Sequence, residues 1–523
     1  MRLILMALLV IMAAGCSGGG TTGTSTPPSA PTPMPTPPPP TLEVTLTPSA
    51  ARQTASENNF STSFTVSATF SGTSSDPVIP DLNLDPAVLT QDGAVAQNGN
   101  VFTYKLKTVA GLQPKAYASS VGFRLCREVA CTTVYPGSSK SFVYSLNVDL
   151  LDWTTLQRNA AHNGYVHAAF DPAVFVKKWV WSQDAAVAFE PVVARKGSVF
   201  VTVKQSTGRP VVHEIEGTNG LPGWATSPGD IRNASAPVLV GNYLAVNSIS
   251  SDLSTKRTSI LDAVTGGFLK EFRFASQVDY LSQPAGIGNE LYFAAGAIRN
   301  VLYGYNVSPF QERWIAGGSD YQARDGESPA IDDKYVYYYS DSLEVFDRAS
   351  GSLVKRIADM RNFAHPYGYY FSPILGSTNN VIAASGSRSN ASVSIPLNNF
   401  DVAAGTIRWR SARNYSNVPA LAKGVLYAPS NENHQLDALS ELTGTVLWSW
   451  SPPTPQETFI GNVIVTDTLL FVSTTAKTYA IALDGAHDVK WSAPEVGQLA
   501  IIPDGKLVIV PEKGTKITAY TLQ

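Results

Sequence analysis

The sequence predicts an all-β chain, an eight-bladed β-propeller preceded by a small β-sandwich, and three observations carry this expectation. A unit of about 45 residues, all strand and turn in pattern, recurs from Pro191 to the end. Residues 42–148 alternate apolar and polar at period two. No stretch of the repeat region carries the 3.6-residue period of an amphipathic helix.

The repeat is read from its starts. Pro191, Pro237, Pro284, Pro329, Pro373 and Pro419 each open a short apolar run, a polar turn and a second apolar run, at steps of 46, 47, 45, 44 and 46 residues. Asn462-Val-Ile-Val and Ala500-Ile-Ile-Pro fit the same frame without the proline, which makes eight starts. Proline belongs at the head of a strand, where no ladder N–H is lost. Each unit then closes with a second hairpin, of which Asp262 to Gly266, Asp347 to Gly351 and Asp401 to Gly405 share one spacing. The Asp side chain can bond the turn backbone, and Gly accepts positive φ at its exit. Asp437 and Gly444 repeat the pattern with an insertion, and Asp484-Gly485 with a shortening. Outer strands then end in aromatics, Trp224, Phe272, Trp314, Trp409, Trp448 or Trp491, whose recurrence points to packing between blades. The eighth unit stops at Gln523 without an outer strand, whereas Lys177-Lys-Trp-Val-Trp-Ser182 looks like one with no blade before it. Supplying it to the last blade closes the ring and removes a free edge.

In the smaller region, Leu42, Val44 and Leu46 share a face, as do Phe64, Val66, Ala68 and Phe70. Such alternation describes half-buried antiparallel strands. About seven strands over residues 42–150 suggest an immunoglobulin-like or fibronectin-like sandwich, and the lack of Trp there excludes a Cys-Trp-Cys immunoglobulin core. Cys126 and Cys131 fall in this region. Two cysteines cannot fill a tetrahedral zinc site and a redox pair favours Cys-x-x-Cys spacing, so a disulfide closing the small loop is the plain reading.

At the N-terminus, Arg2 precedes the apolar run Leu3 to Met12, too short to span a bilayer, and Ala13-Ala-Gly-Cys16 resembles a bacterial lipobox. The resemblance implies a signal peptide over residues 1–16, lipidation of Cys16 and anchoring to the membrane. Ser17 after it resembles the default for outer-membrane sorting, so the expected location is the outer membrane, facing the periplasm or the surface. Residues 17–41 form a Pro-rich linker, whose part from 27 to 40 in polyproline geometry would reach about 43 Å. The formal charge of −3 and absence of a basic stripe argue against a nucleic-acid partner.

The hairpin Asp-x-x-[Ser/Thr/Ala]-Gly-x-hydrophobic-x-Trp resembles the PQQ-like repeat, and Trp153-Thr-Thr-Leu-Gln-Arg-Asn-Ala-Ala-His-Asn-Gly164 resembles the lead-in found before such propellers. The resemblance covers residues 152–523, with blades from about 177. It implies either a quinoprotein dehydrogenase with calcium-bound PQQ or the non-enzymatic BamB-like branch, a scaffold of outer-membrane protein assembly. Residues 132–523 hold no Cys, so the vicinal cysteine pair that many of those dehydrogenases stack on PQQ is missing. The expectation is therefore a monomeric, non-enzymatic scaffold with no catalytic residues, no metal and no cofactor, binding unidentified envelope proteins. His162 and His167 are read as lead-in loop residues rather than metal ligands. The Tyr335-Val-Tyr-Tyr-Tyr339 strand and the run with Tyr367, Tyr369 and Tyr370 could line a sugar- or partner-binding face, with blade packing as the competing use. A glycan-binding or adhesive surface protein is the first alternative function, and a PQQ-dependent dehydrogenase the second.

Overall fold

The computed structural model describes residues 39–57, 62–276, 279, 281–296, 301–317, 327–340, 342–359, 372–385 and 395–523. Ten sheets account for the described strands, eight in a propeller and two in a sandwich. Blade 1 spans 186–226, blade 2 231–274, blade 3 285–317, blade 4 330–358, blade 5 374–415, blade 6 420–450 and blade 7 459–493. Blade 8 takes its three inner strands from 498–521 and its outer strand from Lys177–Ser182, which pairs antiparallel with Lys516–Thr521. The ring closes as its truncated last unit requires, because an open blade would leave an apolar face and a row of unpaired amides in water.

Within a blade, successive strands are hairpin neighbours, so the two-residue alternation packs one face against the blade before and the other against the blade after. The core is accordingly divided among the gaps between blades. Phe272 and Phe274 of blade 2 meet Phe293, Tyr303 and Tyr305 of blade 3, with Phe272 and Tyr305 stacked at 4.2 Å. Tyr337 and Tyr339 of blade 4 pack with Val381 and Phe400 of blade 5. The middle of the Tyr-rich strand therefore serves blade packing.

The outer-strand tryptophans reach sideways onto the closing turn of the next blade. Trp179 donates its indole N–H to Gly217 O at 3.1 Å, Trp314 to Arg348 O at 3.0 Å and Trp409 to Glu441 O at 2.7 Å. Their rings lie over the turn glycines Gly220, Gly351 and Gly444, as Trp224 lies over Gly266. A Cβ on any of the four would stand 2.4–2.7 Å from the indole. These glycines have φ from +69° to +75°, so the position demands Gly twice over, for its backbone and for the ring above it. Where blade 4 has Lys355 in place of the Trp, its ammonium reaches Val402 O at 2.6 Å and Ala403 O at 3.0 Å in the turn of blade 5.

Two expectations need correction. Pro191 and Pro237 do not head their strands. Pairing begins upstream, at Ala186 and Ile231, and breaks around each proline before resuming, because the missing N–H interrupts the ladder without ending it. The sandwich has nine strands rather than seven. Its first strand is split, Glu43–Thr47 joining one sheet and Ala50–Ser56 running parallel to Lys140–Asp149 in the other. Two short pieces, Leu89–Gln91 and Ala96–Asn98, both pair with Val101–Thr108. Across the first split the buried positions change phase, from Leu42 and Val44 to Ala51 and Ala55. The sheets face one another across a common core in which Tyr104 meets Phe123 edge-on at 6.0 Å.

Candidate functional site

The inner strand of every blade presents an open edge to the propeller axis, and its amides need partners there. The lead-in supplies them. Trp153 exchanges two 2.8 Å backbone hydrogen bonds with Ala194 of blade 1, and Leu239 of blade 2 donates to Thr154 O at 2.8 Å. Thr155 Oγ1 donates to Pro284 O of blade 3 at 3.2 Å. Ile331 of blade 4, Leu375 of blade 5 and Leu421 of blade 6 donate to Ala160, Ala161 and Asn163 at 2.7–2.9 Å. Val465 of blade 7 then donates to Gly164 O at 2.9 Å and accepts from Val166 N–H at 2.9 Å. Residues 153–166 thus visit blades 1 to 7 in ring order and plug the axis. Gln157, Arg158 and His162 take positive φ in this winding path, and all three are buried.

His162 lies in the irregular backbone of the lead-in, and there it is fully buried. Its Nδ1 stands 3.0 Å from Pro373 O, while Nε2 has no partner. Burial pushes the imidazole down to about 4, so the ring is neutral at pH 7 and Nδ1–H donates to the carbonyl. Gln157 Nε2 likewise donates to Pro419 O at 2.7 Å and Val463 O at 3.0 Å. The carbonyls of Pro284, Pro373 and Pro419 thereby gain partners from the plug.

The plug is also where the two domains meet. Glu57, at the end of the sandwich strand Ala50–Ser56, forms an ion pair with Arg158, and both side chains are buried. Arg158 Nη1 also donates to Tyr165 O. A second node lies over blade 7. Asp467 accepts from Tyr165 OH at 2.5 Å, from Lys423 at 2.7 Å and from Gln113 of the sandwich at 2.7 Å, and His167 Nδ1 lies 2.9 Å away. Burial raises that carboxyl, but these hydrogen bonds outweigh it and hold Asp467 at about 2. Lys196 of blade 1 bonds Asp149 at 2.7 Å, and Gln523 of blade 8 reaches Pro114 O at 3.3 Å. The sandwich therefore sits on the ring at blades 7, 8 and 1, on the face where inner strands turn back.

A polar cleft of about 630 Å³ opens on that same face between blades 4 and 5, beside Ala161 and Asn163 of the plug. Its walls are the turns Asp332 to Tyr335 and Ser377 to Asn380, read in the sequence only as polar turns. As equivalent turns of consecutive units they are neighbours in the ring, but nothing in their residues signals a cleft between them.

Cys126 and Cys131 are joined at the edge of the sandwich, their Cα atoms 5.0 Å apart. Cys16, Tyr367, Tyr369 and Tyr370 lie outside the described residues.

Residues 395–523 match the family model described as outer membrane protein assembly factor BamB. This stretch, the last blades of the ring, is similar to PQQ-like repeats. No curated protein matches the chain. Among solved structures, BamB from Moraxella catarrhalis aligns with a TM-score of 0.50 at 15% identity, over 66% of this chain and 100% of that one. Quinohemoprotein alcohol dehydrogenase from Comamonas testosteroni aligns with 0.55 at 12% identity, over 71% and 80%. Sqt1 from Saccharomyces cerevisiae aligns with 0.50 at 9% identity, over 66% and 98%. At such identities the likeness concerns fold alone.

The described residues do not fit a calcium-held quinone. The recurring aspartates are engaged by their own turns, Asp262 with the amides of Val264 and Thr265 at 2.9 and 2.8 Å, Asp347 with Ser350 at 2.8 Å and Asp401 with Ala404 at 2.9 Å. Hydrogen bonding lowers all three carboxyls for the same reason. The remaining cluster of metal-ligand types among the described residues is Asp81 with Cys126 and Cys131, whose sulfurs are already bonded to each other.

Proposed function

We propose that this chain is a lipid-anchored cell-envelope scaffold that presents its propeller to partner proteins, with a role in outer-membrane protein assembly. The observation that carries the reading is the plugged axis. The residues that line the centre of the ring at this end are engaged in holding the blades together, which leaves the blade edges and turns as the working surface. The match of residues 395–523 to an assembly-factor family supports the assembly role. Strand order in the sandwich, with Glu43–Thr47 and Ala50–Ser56 split between sheets, supports an immunoglobulin-like module. Anchoring through Cys16, a Cys126–Cys131 disulfide and a monomeric state complete the proposal, since an oxidising compartment outside the cytoplasm suits such a pair.

Exposed apolar side chains at the closing hairpins are the contact points this reading offers. Phe268 is 55% exposed beside Val264 and Leu269 on blade 2, and Leu447 is 54% exposed beside Leu442 and Val446 on blade 6. A photo-crosslinking residue placed at Phe268 or Leu447 in intact cells should trap one envelope protein reproducibly. Capture of lipid and unrelated neighbours alone, at both positions, would overturn the scaffold reading.

A further inference from the structure

We propose that the cleft between blades 4 and 5 is a carbohydrate-binding site, with the Tyr335 ring as its platform. Tyr335 is half-buried against the blade core, its ring edge-on to Tyr337 at 6.2 Å, and its hydroxyl forms no hydrogen bond among the described residues. Around it stand the exposed Asp333 and Lys334, neither in an ion pair among the described residues, and across the cleft Thr378, Asn379 and Asn380. Asn380 is buried and its Nδ2 donates to Ser377 Oγ at 2.7 Å and Glu441 at 3.0 Å, while its Oδ1 has no partner.

The chemistry of this set excludes other ligand classes. An anion would meet two carboxylates, Asp332 and Asp333, against one ammonium. A multivalent cation needs several free carboxylates, but Asp332 Oδ1 already accepts the amides of Lys334 and Tyr335, each at 2.7 Å, and Oδ2 accepts Tyr337 OH at 2.7 Å. An apolar ligand would strip water from these polar groups without replacing it. A protein interface needs about 800 Å² from each partner, more than a concavity of this size presents. A saccharide meets the set: its hydroxyls both donate and accept, and the cleft offers a donor-only ammonium, an acceptor-only carboxylate, side-chain amides and hydroxyls around one aromatic ring. The volume lies in the small-molecule range of about 300–1,000 Å³. The Ser377–Asn380 turn is held from behind by Glu441, which also accepts Ser377 N–H at 2.6 Å, and the facing turn by Asp332, so the walls are formed before a ligand arrives.

The test is saturation-transfer NMR on the full chain in detergent, with maltotriose, cellotriose and chitotriose as separate probes. At least one should bind saturably. Tyr335→Ala should weaken that binding about tenfold or more, and so should Thr378→Ala combined with Asp333→Ala, which alter exposed side chains and leave the fold intact. Lys513→Ala, on an exposed turn of blade 8, should change nothing. Failure of all three probes at about 10 mM, or binding that survives both cleft variants, would overturn the site.

Discussion

A single side chain in this ring is often asked to satisfy two neighbours at once. Gly351 shows it best. Its φ of +71° would cost any L-residue about 1–2 kcal/mol, and a Cβ would lie 2.5 Å from the Trp314 indole. Gly351→Ala should therefore lose about 3 kcal/mol in chemical denaturation, against about 1 kcal/mol for Gly241→Ala, which has φ +58° and open space around it. Equal losses at the two sites would refute the indole contact. His162 gives a second measurable effect. Its folded value of about 4 lies below the ordinary 6.5, so between those pH values the unfolded chain binds more protons than the folded one. Stability is complete above pH 6.5 and falls as the pH drops toward 4, by about 3 kcal/mol in all. In His162→Gln, whose amide can still donate to Pro373 O, that part of the acid slope should flatten.

At the scale of elements, the blades are alike in hydrogen bonding but not in how they are joined. Seven are continuous hairpins in the chain, whereas blade 8 is assembled from two segments more than three hundred residues apart. Ala519 sits in its third strand, opposite Trp179 on one side and Val508 on the other. Ala519→Pro would remove a ladder N–H and orphan its acceptor, at about 3 kcal/mol, and would loosen the closing strand before any other. Limited proteolysis should then cut near residue 183 while the remaining blades stay protected. Unchanged resistance there would mean that closure does not hold the ring.

At the scale of the whole molecule, the sandwich is joined to the propeller through buried charge as well as through surface contact. Removing residues 1–150 would leave Arg158 buried without Glu57, and an uncompensated buried charge costs about 3–5 kcal/mol. A chain beginning at residue 151 should melt well below the full protein. Arg158→Met in the short chain should recover much of the loss, while the same change in the full chain should not help, because it leaves Glu57 unpaired. If the short chain melts like the full one, the ion pair is not what couples the domains.

The repeat, the closing strand, the turn residues and the packing role of the tryptophans were legible in the chain, because each rests on local spacing that a 45-residue period displays eight times. Period-two alternation likewise marked the sandwich, though it missed the short strands and the split of the first one. The site was less legible. The lead-in has no hydrophobic period, and its positive-φ residues Gln157 and Arg158 are not types that announce such backbone. Asp333 and Asn380 look like ordinary turn residues until blades 4 and 5 bring them to one cleft. What the sequence determined by itself was the blade and its closure, since strand period, turn chemistry and repeat length act within one unit. What only the tertiary structure decided was the centre: which segment fills the axis, which carboxylate answers Arg158 and whether neighbouring turns enclose a cleft, since those depend on contacts between separate units of the chain rather than on spacing within one.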